Sequence, residues 1–360
     1  MCIVAKIASI LEDVMEIKRD LYLDKLIARK HNGLIKVVTG IRRCGKSYLL
    51  NTLFYNHLKA YGVSDDHIVK FAFDSADDLL MIGENLIKLE KSKKRVDPEK
   101  FMAYIRSKVV DNQMYYLLLD EVQLLDCFEA VLNGYLRKEN MDVYVTGSNA
   151  KFLSKDIITE FAGRGDEIRM YPLSFAEFMT AYSGDKYTGL SEYMLYGGIP
   201  LVVLRNGANE KSAALQSLFD EIYIRDIEKR NKIRNIGELE DLLNILSSSI
   251  GSLTNPEKLS NTFKTVKKSK ITATTIRKYL GYLEDSFLIE STQRYDIKGR
   301  NYIETPRKYY FSDLGLRNAR INFRQFEQTH SMENVIYNEL RMRGYNVDVG
   351  VVPVAERDAN

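Results

Sequence analysis

Cysteine, histidine and proline are rare in this 360-residue sequence, and tryptophan is absent. The three cysteines, Cys2, Cys44 and Cys127, are odd in number, and their spacing fits neither a disulfide framework nor a metal site. The four histidines are too scattered to form a zinc-ligand pattern: His31, His57, His67 and His330. These shortages argue against a secreted disulfide-rich protein or a zinc enzyme, and they favour a reducing, cytoplasmic setting.

Long apolar segments are also missing, since no run approaches the roughly 20 residues that a membrane-spanning helix needs. A short apolar stretch near the start is interrupted by Glu12 and Asp13 and lacks a basic start and a cleavage site, so we expect no signal peptide. The composition, 45% hydrophobic and 28% charged, is ordinary for a globular protein. A chain of 360 residues suggests two or three domains, and we expect no membrane partner.

Short apolar segments alternate with amphipathic ones in the first half of the chain. The predicted strands are residues 34–40, 67–73, 114–120 and 142–148, and the predicted helices are residues 47–60, 101–109 and 126–138. This alternation is typical of an α/β fold, in which helices cover both faces of a parallel sheet. We expect the strand at 142–148 to lie beside the strand at 34–40.

Helices dominate the second half, from about residue 174 to residue 290. Three of them fall within residues 240–290, and Thr272 or Thr274 is a candidate N-cap of the third. Two β-like runs follow, FLIESTQRYDI and RKYYFSD. The segment HSMENVIYNELRMRGYNVDVGVV then predicts one helix and one strand.

Residues 40–47 read GIRRCGKS and match the pattern G-x-x-x-x-G-K-[ST] in full. The glycines permit a tight turn whose backbone N–H groups converge, and the following helix adds its positive N-terminal end. We expect Lys46 to contact the β- and γ-phosphates of ATP and Ser47 to bind Mg²⁺. The predicted nucleotide contacts are Gly40, Arg42, Arg43, Cys44, Gly45, Lys46, Ser47 and Tyr48. The alternative is a chance match in a glycine-containing loop.

An acidic pair, Asp120 and Glu121, ends the apolar strand at 114–120. Ligands of open α/β sheets bind at the carboxyl ends of the strands. We therefore expect Asp120 to hold the magnesium ion through water, and Glu121 to polarise the attacking water as a general base. The alternative is an acidic pair that caps the following helix.

Polar residues after the fourth predicted strand are candidates for a contact with the γ-phosphate or the attacking water: Thr146, Ser148 and Asn149. An ordinary turn would suit the same residues. Arg164 lies between two glycines and is a candidate to stabilise charge during phosphoryl transfer, within one chain or across a subunit interface. Arg169 is the second candidate, and an ordinary exposed arginine is the alternative for both.

The span 255–310 contains 12 lysines and arginines against 6 aspartates and glutamates. Such an excess favours contact with an acidic partner, and DNA is a candidate. Lys298 and Arg300 stand at a glycine-containing turn that could form a wing. The alternative is a charged helical module that contacts another protein, because the six acidic residues weaken the positive field.

The sequence resembles the AAA-type P-loop ATPases of bacteria and archaea that carry a C-terminal domain of unknown function. The matching pieces are VVTGIRRCGKS, LLLDEVQ, VTGSNAKFLS, GRGDEIRMYPLSFAEF, YMLYGGIP, YIRDI, KYYFSDLGLRNA and HSMENVIYNELRMRGY. The resemblance implies Walker B roles for Asp120 and Glu121, places a sensor group within residues 148–149, and makes Arg164 the leading arginine finger.

The resemblance also implies a domain order, in which an α/β P-loop core is followed by a helical, winged-helix-like module and a truncated α/β segment. The expected bounds are a helical lead-in at 1–30, the AAA-type core at 31–180, a connector at 181–235, the winged-helix-like module at 236–322 and a partial restriction-endonuclease-like segment at 323–360. In the family that last domain continues past the strand written here NVDVGVV to an acidic strand pair with a lysine, whereas this sequence stops at Asn360 and retains only Glu333 as a match for the first acidic position. We therefore expect no nuclease activity.

These observations predict magnesium-dependent ATP hydrolysis, coupled to a conformational change of the C-terminal modules. The alternative function is a nucleotide-gated module that binds DNA or protein, with slow or incidental hydrolysis. A homo-oligomer is expected if Arg164 acts across a subunit interface.

Overall fold

The computed structural model describes residues 17–147, 163–293, 306–324 and 327–350. Several predicted features lie outside these residues, namely the sensor candidates Ser148 and Asn149 and the wing candidates Lys298 and Arg300. The first half of the expected lead-in, residues 1–16, also lies outside them.

A five-stranded parallel sheet forms the centre of the first half, in the order β2-β3-β4-β1-β5. The strands are β1 (Ile35–Gly40), β2 (Ile68–Ala72), β3 (Tyr115–Asp120), β4 (Met141–Thr146) and β5 (Gly165–Met170). Every residue of β1, β3 and β4 is buried, as expected for central strands that helices cover on both faces. The predicted neighbours, β4 and β1, do pair, with Val37 opposite Val145.

Helices of the core cover this sheet. They are α1 (Asp20–Ala28), α2 (the consecutive segments Lys46–Tyr48, Leu49–Phe54 and Tyr55–Ala60), α3 (Ala76–Met81), α4 (Leu86–Ser92), α5 (Pro98–Lys108) and α6 (Phe128–Tyr135). The middle segment of α2 is π-helical. The predicted helices correspond to α2, α5 and α6, and α5 starts where sequence chemistry directs it, with Asp97 as N-cap and Pro98 in the first turn.

Strand β5 is an element that the sequence did not predict. It occupies the edge of the sheet, and its residues GDEIRM alternate between polar and apolar over too short a stretch to stand out. Its backbone pairs with β1 over six residues, from Ile35 opposite Gly165 to Gly40 opposite Met170. The sheet therefore extends one strand beyond the P-loop strand.

The second half is mostly helical, as predicted. Its elements are α7 (Phe175–Ala181), α8 (Lys186–Tyr196), α9 (Pro200–Val203), α10 (the consecutive segments Ala208–Ser217, Leu218–Ile224 and Arg225–Asn231), α11 (Ile236–Ser248), α12 (Pro256–Lys267), α13 (Ala273–Asp285), β6 (Ile289–Gln293), β7 (Arg307–Phe311), α14 (Leu314–Arg320) and α15 (Gln328–Met342). The middle segment of α10 is π-helical. Thr272 is the N-cap of α13, because its side chain accepts a hydrogen bond from the Thr275 N–H.

Helices α11 to α13 and the antiparallel pair β6–β7 have the order expected of a winged-helix-like module. The connection between the two strands lies outside the described residues, so the winged-helix interpretation stays a prediction. The nuclease-like interpretation of 323–360 also stays a prediction. Its helix is α15, and within residues 346–350 Val349 donates a backbone hydrogen bond to Gln293 at 2.9 Å rather than beginning a regular strand.

Two sequence motifs meet at a buried carboxylate between α8 and α14. Asp313 accepts hydrogen bonds from the N–H groups of Gly198 at 2.7 Å and Leu316 at 3.1 Å. Burial raises the pKa of Asp313 to about 6, although these backbone N–H groups lower it. A Cβ atom at Gly315 would lie 2.1 Å from the Tyr196 carbonyl oxygen, so only glycine permits this approach. The motifs YMLYGGIP and SDLGLRN therefore form one packed junction.

A second junction ties the core to the C-terminal elements. The Glu290 carboxylate on β6 pairs with Arg169 on β5 at 2.5 Å and with Arg341 on α15 at 3.2 Å. Glu290 is buried while the two arginines are partly exposed, so both ion pairs are only partly shielded from water. Strand β5, strand β6 and α15 are thereby held together.

Candidate functional site

The loop from Gly40 to Ser47 joins β1 to α2 at the carboxyl edge of the sheet. Gly40 and Gly45 have φ values of 137° and 100°, which residues other than glycine rarely adopt. A Cβ atom at Gly40 would also lie 2.0 Å from the Met170 carbonyl oxygen of β5. Both glycines of the motif are therefore required by the backbone.

Lys46 is the buried cation of this loop, with 6% of the residue exposed. Its ammonium group donates to the carbonyl oxygens of Gly40 and Ile41, each at 3.0 Å. The side chain thus curls back over the loop that it follows. This position places a positive charge where the loop N–H groups and the start of α2 converge.

The loop opens into a cavity of about 1120 Å³, which can accommodate a nucleotide. Six of the predicted nucleotide contacts line it: Arg42, Arg43, Gly45, Lys46, Ser47 and Tyr48. Glu121 lines the same cavity. Cys44 instead faces the protein interior and is fully buried, with its sulfur 3.7 Å from the Met170 carbonyl oxygen.

Asp120 and Glu121 lie at the end of β3, beside Thr146 at the end of β4. The Thr146 hydroxyl donates to the Asp120 carboxylate and accepts a hydrogen bond from the Glu121 N–H at 3.1 Å. The Glu121 carboxylate accepts a hydrogen bond from Gln123. Glu121 has a φ of 51°, a left-handed conformation that non-glycine residues seldom adopt. Such strain is typical of functional positions.

A third carboxylate, Asp74, follows β2 and lines the cavity. Desolvation raises the pKa of Asp74, and the negative charges of Asp120 and Glu121 raise it further. Two neighbouring parallel strands, β2 and β3, therefore place three carboxylates at one edge of the sheet. Asp74 directly follows the second predicted strand, residues 67–73, but was not among the predicted site residues.

Helix α10 also contacts the P-loop, and the sequence did not predict this contact. The Asp226 carboxylate is 3.5 Å from the Arg42 guanidinium and 2.9 Å from that of Arg230. Desolvation raises the pKa of Asp226, while the two arginines lower it. Asp226 and Arg230 both line the cavity. The sequence signal that could have revealed this contact is the motif YIRDI, because its Asp226 lies four residues before Arg230.

The end of α13 completes the cavity, through Tyr282, Asp285 and the following Ser286. This helix belongs to the module that the sequence predicts to be winged-helix-like. A ligand in the cavity would therefore contact the core, α10 and this module together.

Arg164 does not lie near the cavity of its own chain. It precedes β5, is exposed, and its carbonyl oxygen accepts a hydrogen bond from the Ile35 N–H at 2.9 Å. Since β1 runs from Ile35 to Gly40, Arg164 and the P-loop lie at opposite edges of the sheet, about 17 Å apart. That separation is longer than an arginine side chain, so Arg164 does not reach the P-loop of its own chain in this structure. The second candidate, Arg169, is engaged by Glu290.

Within the described parts of the chain, no group of three histidine, cysteine or carboxylate side chains has an arrangement suited to binding a metal ion. A magnesium ion at this site would take Ser47 and water-mediated Asp120, with phosphate oxygens as its other ligands. No helix among the described residues is both long and apolar enough to cross a membrane.

Comparison with known proteins assigns the fold and the family. Residues 32–179 match the family described as AAA domain, and residues 187–327 match the one described as Domain of unknown function (DUF8612). An uncharacterized protein of Haemophilus influenzae is 35% identical over 350 residues, which cover 95% of this chain and 83% of that protein. The chain belongs to this family of AAA-type P-loop ATPases.

The chain is also similar to two further proteins. An uncharacterized protein of Methanocaldococcus jannaschii is 29% identical over 345 residues, covering 91% of this chain and 70% of that protein. The solved structure of the Walker-type ATPase PABY2304 of Pyrococcus abyssi aligns with a TM-score of 0.57 and 16% identity, covering 86% of this chain and 97% of that one. At this identity the second match shows the fold alone.

The side chains of this AAA-type cavity suit a nucleoside triphosphate. Two glycines with positive φ shape the loop, and Lys46 supplies a buried ammonium group at the start of a helix. The cavity beyond is lined by Arg42, Arg43 and Arg230. These cationic groups can pair with the oxygens of a phosphate chain, while the acidic side chains of the same cavity, such as Glu121 and Asp226, balance their charge.

Proposed function

We propose that the chain binds ATP with Mg²⁺ and hydrolyses it to ADP and phosphate. The observation that carries the proposal is that Lys46, Ser47 and Glu121 line one cavity at the N-terminus of α2. Asp120 lies directly beside Glu121 and is held by Thr146. Catalysis of this kind depends on positioning and electrostatics rather than on a covalent intermediate.

Each side chain has a distinct task in this proposal. Lys46 pairs with the β- and γ-phosphates, while Ser47 and Asp120 hold the metal, whose charge would neutralise the phosphate oxygens. Glu121 accepts the proton of the attacking water, and its hydrogen bond with Gln123 orients the carboxylate. Asn149 is proposed as the sensor, and Arg164 as a finger that acts on a neighbouring chain.

Coupling to the C-terminal elements is supported by the walls of the cavity. Asp226 and Arg230 of α10 and Tyr282 of α13 line it together with the P-loop. A phosphate chain would compete with Asp226 for the guanidinium groups of Arg42 and Arg230. Binding and release of phosphate would therefore change the contacts that hold these two helices.

The proposal is tested by two substitutions with different expected effects. Lys46→Ala should weaken binding of a fluorescent ATP analogue by about tenfold to a hundredfold, because a charge-assisted contact is lost. Glu121→Gln should leave this affinity nearly unchanged and slow phosphate release by about a hundredfold or more. The exposed residues Lys88 and Glu99 provide matched controls, Lys88→Ala and Glu99→Gln. Unchanged binding by Lys46→Ala would refute the P-loop assignment.

A second candidate function is nucleotide-gated binding of DNA, with slow hydrolysis. It is favoured by the exposed lysines at the end of α12 and in the turn before α13, namely Lys264, Lys268 and Lys270. Two other basic residues of the span are already paired, Lys267 with Asp241 at 2.9 Å and Arg277 with Glu257 at 3.1 Å, which lowers the net field.

The DNA hypothesis predicts a strong dependence on salt. Affinity for duplex DNA should fall linearly on a logarithmic scale between about 50 and 200 mM salt, because phosphate contacts release counterions. Replacing Lys264, Lys268 and Lys270 by alanine should weaken binding and reduce the slope. Replacing the exposed residues Lys88 and Lys91 on α4 should change neither. Binding that does not respond to salt would exclude this function and leave a protein partner.

A further inference from the structure

Two side chains from outside the P-loop hold its backbone carbonyl groups. We propose that Arg19 and Tyr223 are positioning residues, which aim two backbone N–H groups of the loop at the phosphates of the nucleotide. The inference rests on the proposed binding of ATP. It assigns a role to the segment before α1 and to the motif YIRDI, neither of which the Walker motifs include.

Arg19 is a buried arginine, with 2% of the residue exposed, just before α1. Its guanidinium group donates to the Cys44 carbonyl oxygen at 3.0 Å and to the Tyr171 carbonyl oxygen at 2.6 Å. It also pairs with Glu177 at 3.0 Å. The position of Glu177 is fixed in turn, because its carboxylate and the Ser174 hydroxyl form a capping box at the start of α7. Arg19 is thus held on three sides against the loop.

Tyr223 contacts the loop from α10, at the C-terminal end of the π-helical segment Leu218–Ile224. Its hydroxyl group donates to the Arg42 carbonyl oxygen at 2.8 Å. Burial raises the pKa of Tyr223 well above 10, so the phenol remains a donor at any physiological pH. Three residues further on, Asp226 contacts the guanidinium group of the same Arg42. Helix α10 therefore holds both the backbone and the side chain of this loop residue.

Peptide geometry links these contacts to phosphate binding. In a trans peptide the carbonyl oxygen and the next N–H point in opposite directions. A donor that fixes the Cys44 carbonyl from the protein side therefore turns the Gly45 N–H away from it, and a donor on the Arg42 carbonyl does the same for the Arg43 N–H. Gly45 and Arg43 both line the cavity, whereas Cys44 is buried beneath it.

Preorganisation explains why such contacts matter for affinity. A glycine-containing loop can rotate its peptide groups easily, and each rotation that binding must reverse lowers the affinity. Arg19 and Tyr223 remove that freedom before the nucleotide arrives. They touch no ligand atom themselves, so their effect should appear in phosphate binding and not only in stability.

Tyr223→Phe is the mildest test, because it removes one hydroxyl group and keeps the ring. Tyr193→Phe is its matched control, since the buried Tyr193 hydroxyl also donates to a backbone carbonyl, that of Leu173 at 2.8 Å. Both variants should lose similar thermal stability. Only Tyr223→Phe should lower the affinity for a fluorescent ATP analogue and for a competing inorganic tripolyphosphate. Each affinity should fall by about threefold to tenfold, the equivalent of one hydrogen bond.

Arg19 is tested by a graded pair of variants. Arg19→Lys keeps the charge with a different donor geometry and should bind tripolyphosphate less tightly than wild type but better than Arg19→Met. The inference is overturned if Tyr223→Phe binds both ligands as tightly as wild type, or if Tyr193→Phe loses as much affinity. A wild-type protein that binds neither ligand would instead refute the proposed ATP function.

Discussion

The side chain of Asp313 shows how strongly burial can change one residue. Its carboxylate lies between the glycine-containing turn after α8 and the start of α14, where it accepts hydrogen bonds from backbone N–H groups of both. The pKa of this group rises from 3.8 to about 6, with burial as the main cause. When the pKa of a carboxyl group is higher in the folded protein than in the unfolded chain, the free energy of unfolding falls as the pH rises.

Asp313 therefore predicts a pH-dependent stability. The folded protein binds more protons than the unfolded chain between 3.8 and about 6, so the free energy of unfolding should fall through this interval by up to about 3 kcal/mol. Asp313→Asn cannot titrate there. Denaturant unfolding of both proteins between pH 4 and pH 7 should show the difference, wild type minus variant, decreasing with pH. A constant difference would contradict the raised pKa.

Sequence reasoning located some residues of the candidate site and missed others for a physical reason. Lys46, Ser47, Asp120 and Glu121 belong to short local patterns at strand ends, so they were predicted together with their shared edge. The missed group comes from distant parts of the chain: Arg19, Tyr223, Asp226 and Arg230. Only the fold brings these residues to the loop, since Tyr223 follows its acceptor Arg42 by 181 positions.

At the scale of elements, the same limit applies to secondary structure. Strands β1, β3 and β4 were predicted because strands that are buried on both faces are mostly apolar along their whole length. The edge strand β5 was missed because its residues GDEIRM lack such a run. The short helices α3 and α4 were missed as well, although Ser75 and Asn85 cap them with side-chain hydrogen bonds. Caps without a long periodic face are weak signals.

Two glycines in helices should respond in opposite ways to replacement by alanine, because one lies at the contact between α8 and α14 and the other has open space around it. Gly315→Ala should destabilise the protein by about 1–3 kcal/mol, because the new Cβ would lie 2.1 Å from the Tyr196 carbonyl oxygen. Gly281→Ala in α13 should stabilise it by about 0.5–1 kcal/mol, since no atom lies within 4 Å of that Cβ and glycine weakens a helix interior. Denaturant unfolding measures both. Equal effects would show that the α8–α14 approach is looser than described.

At the scale of the whole molecule, the P-loop and Arg164 lie at opposite edges of the sheet. The P-loop lies at the carboxyl edge, and Arg164 lies at the opposite edge, beside Ile35. The sequence left open whether Arg164 acts within its chain or on another. The parallel pairing of β1 and β5 keeps Arg164 away from its own P-loop, and this geometry supports the proposal that Arg164 acts on a neighbouring chain.

Arg164 is therefore expected to act only in an assembly. ATP hydrolysis per chain should rise with protein concentration, and gel filtration with ATP should show a larger species. Arg164→Ala should bind the fluorescent analogue normally and reduce turnover of the assembly by on the order of 10³-fold. Arg343→Ala, at another exposed arginine, is the control. Full turnover by a monomeric variant would exclude a finger role.

The π-helical segment Leu218–Ile224 constrains how α10 can change during evolution. Each π turn holds more residues than an α turn, so loss of a single codon in this stretch would let the helix return to regular α geometry. A full turn of the helix is completed in either geometry, so the later side chains Asp226 and Arg230 would keep facing the P-loop. Loss of a residue from a purely α-helical stretch would instead rotate every later side chain by about 100° around the helix axis. The segment Leu218–Ile224 is therefore the part of α10 in which loss of one residue should be tolerated best.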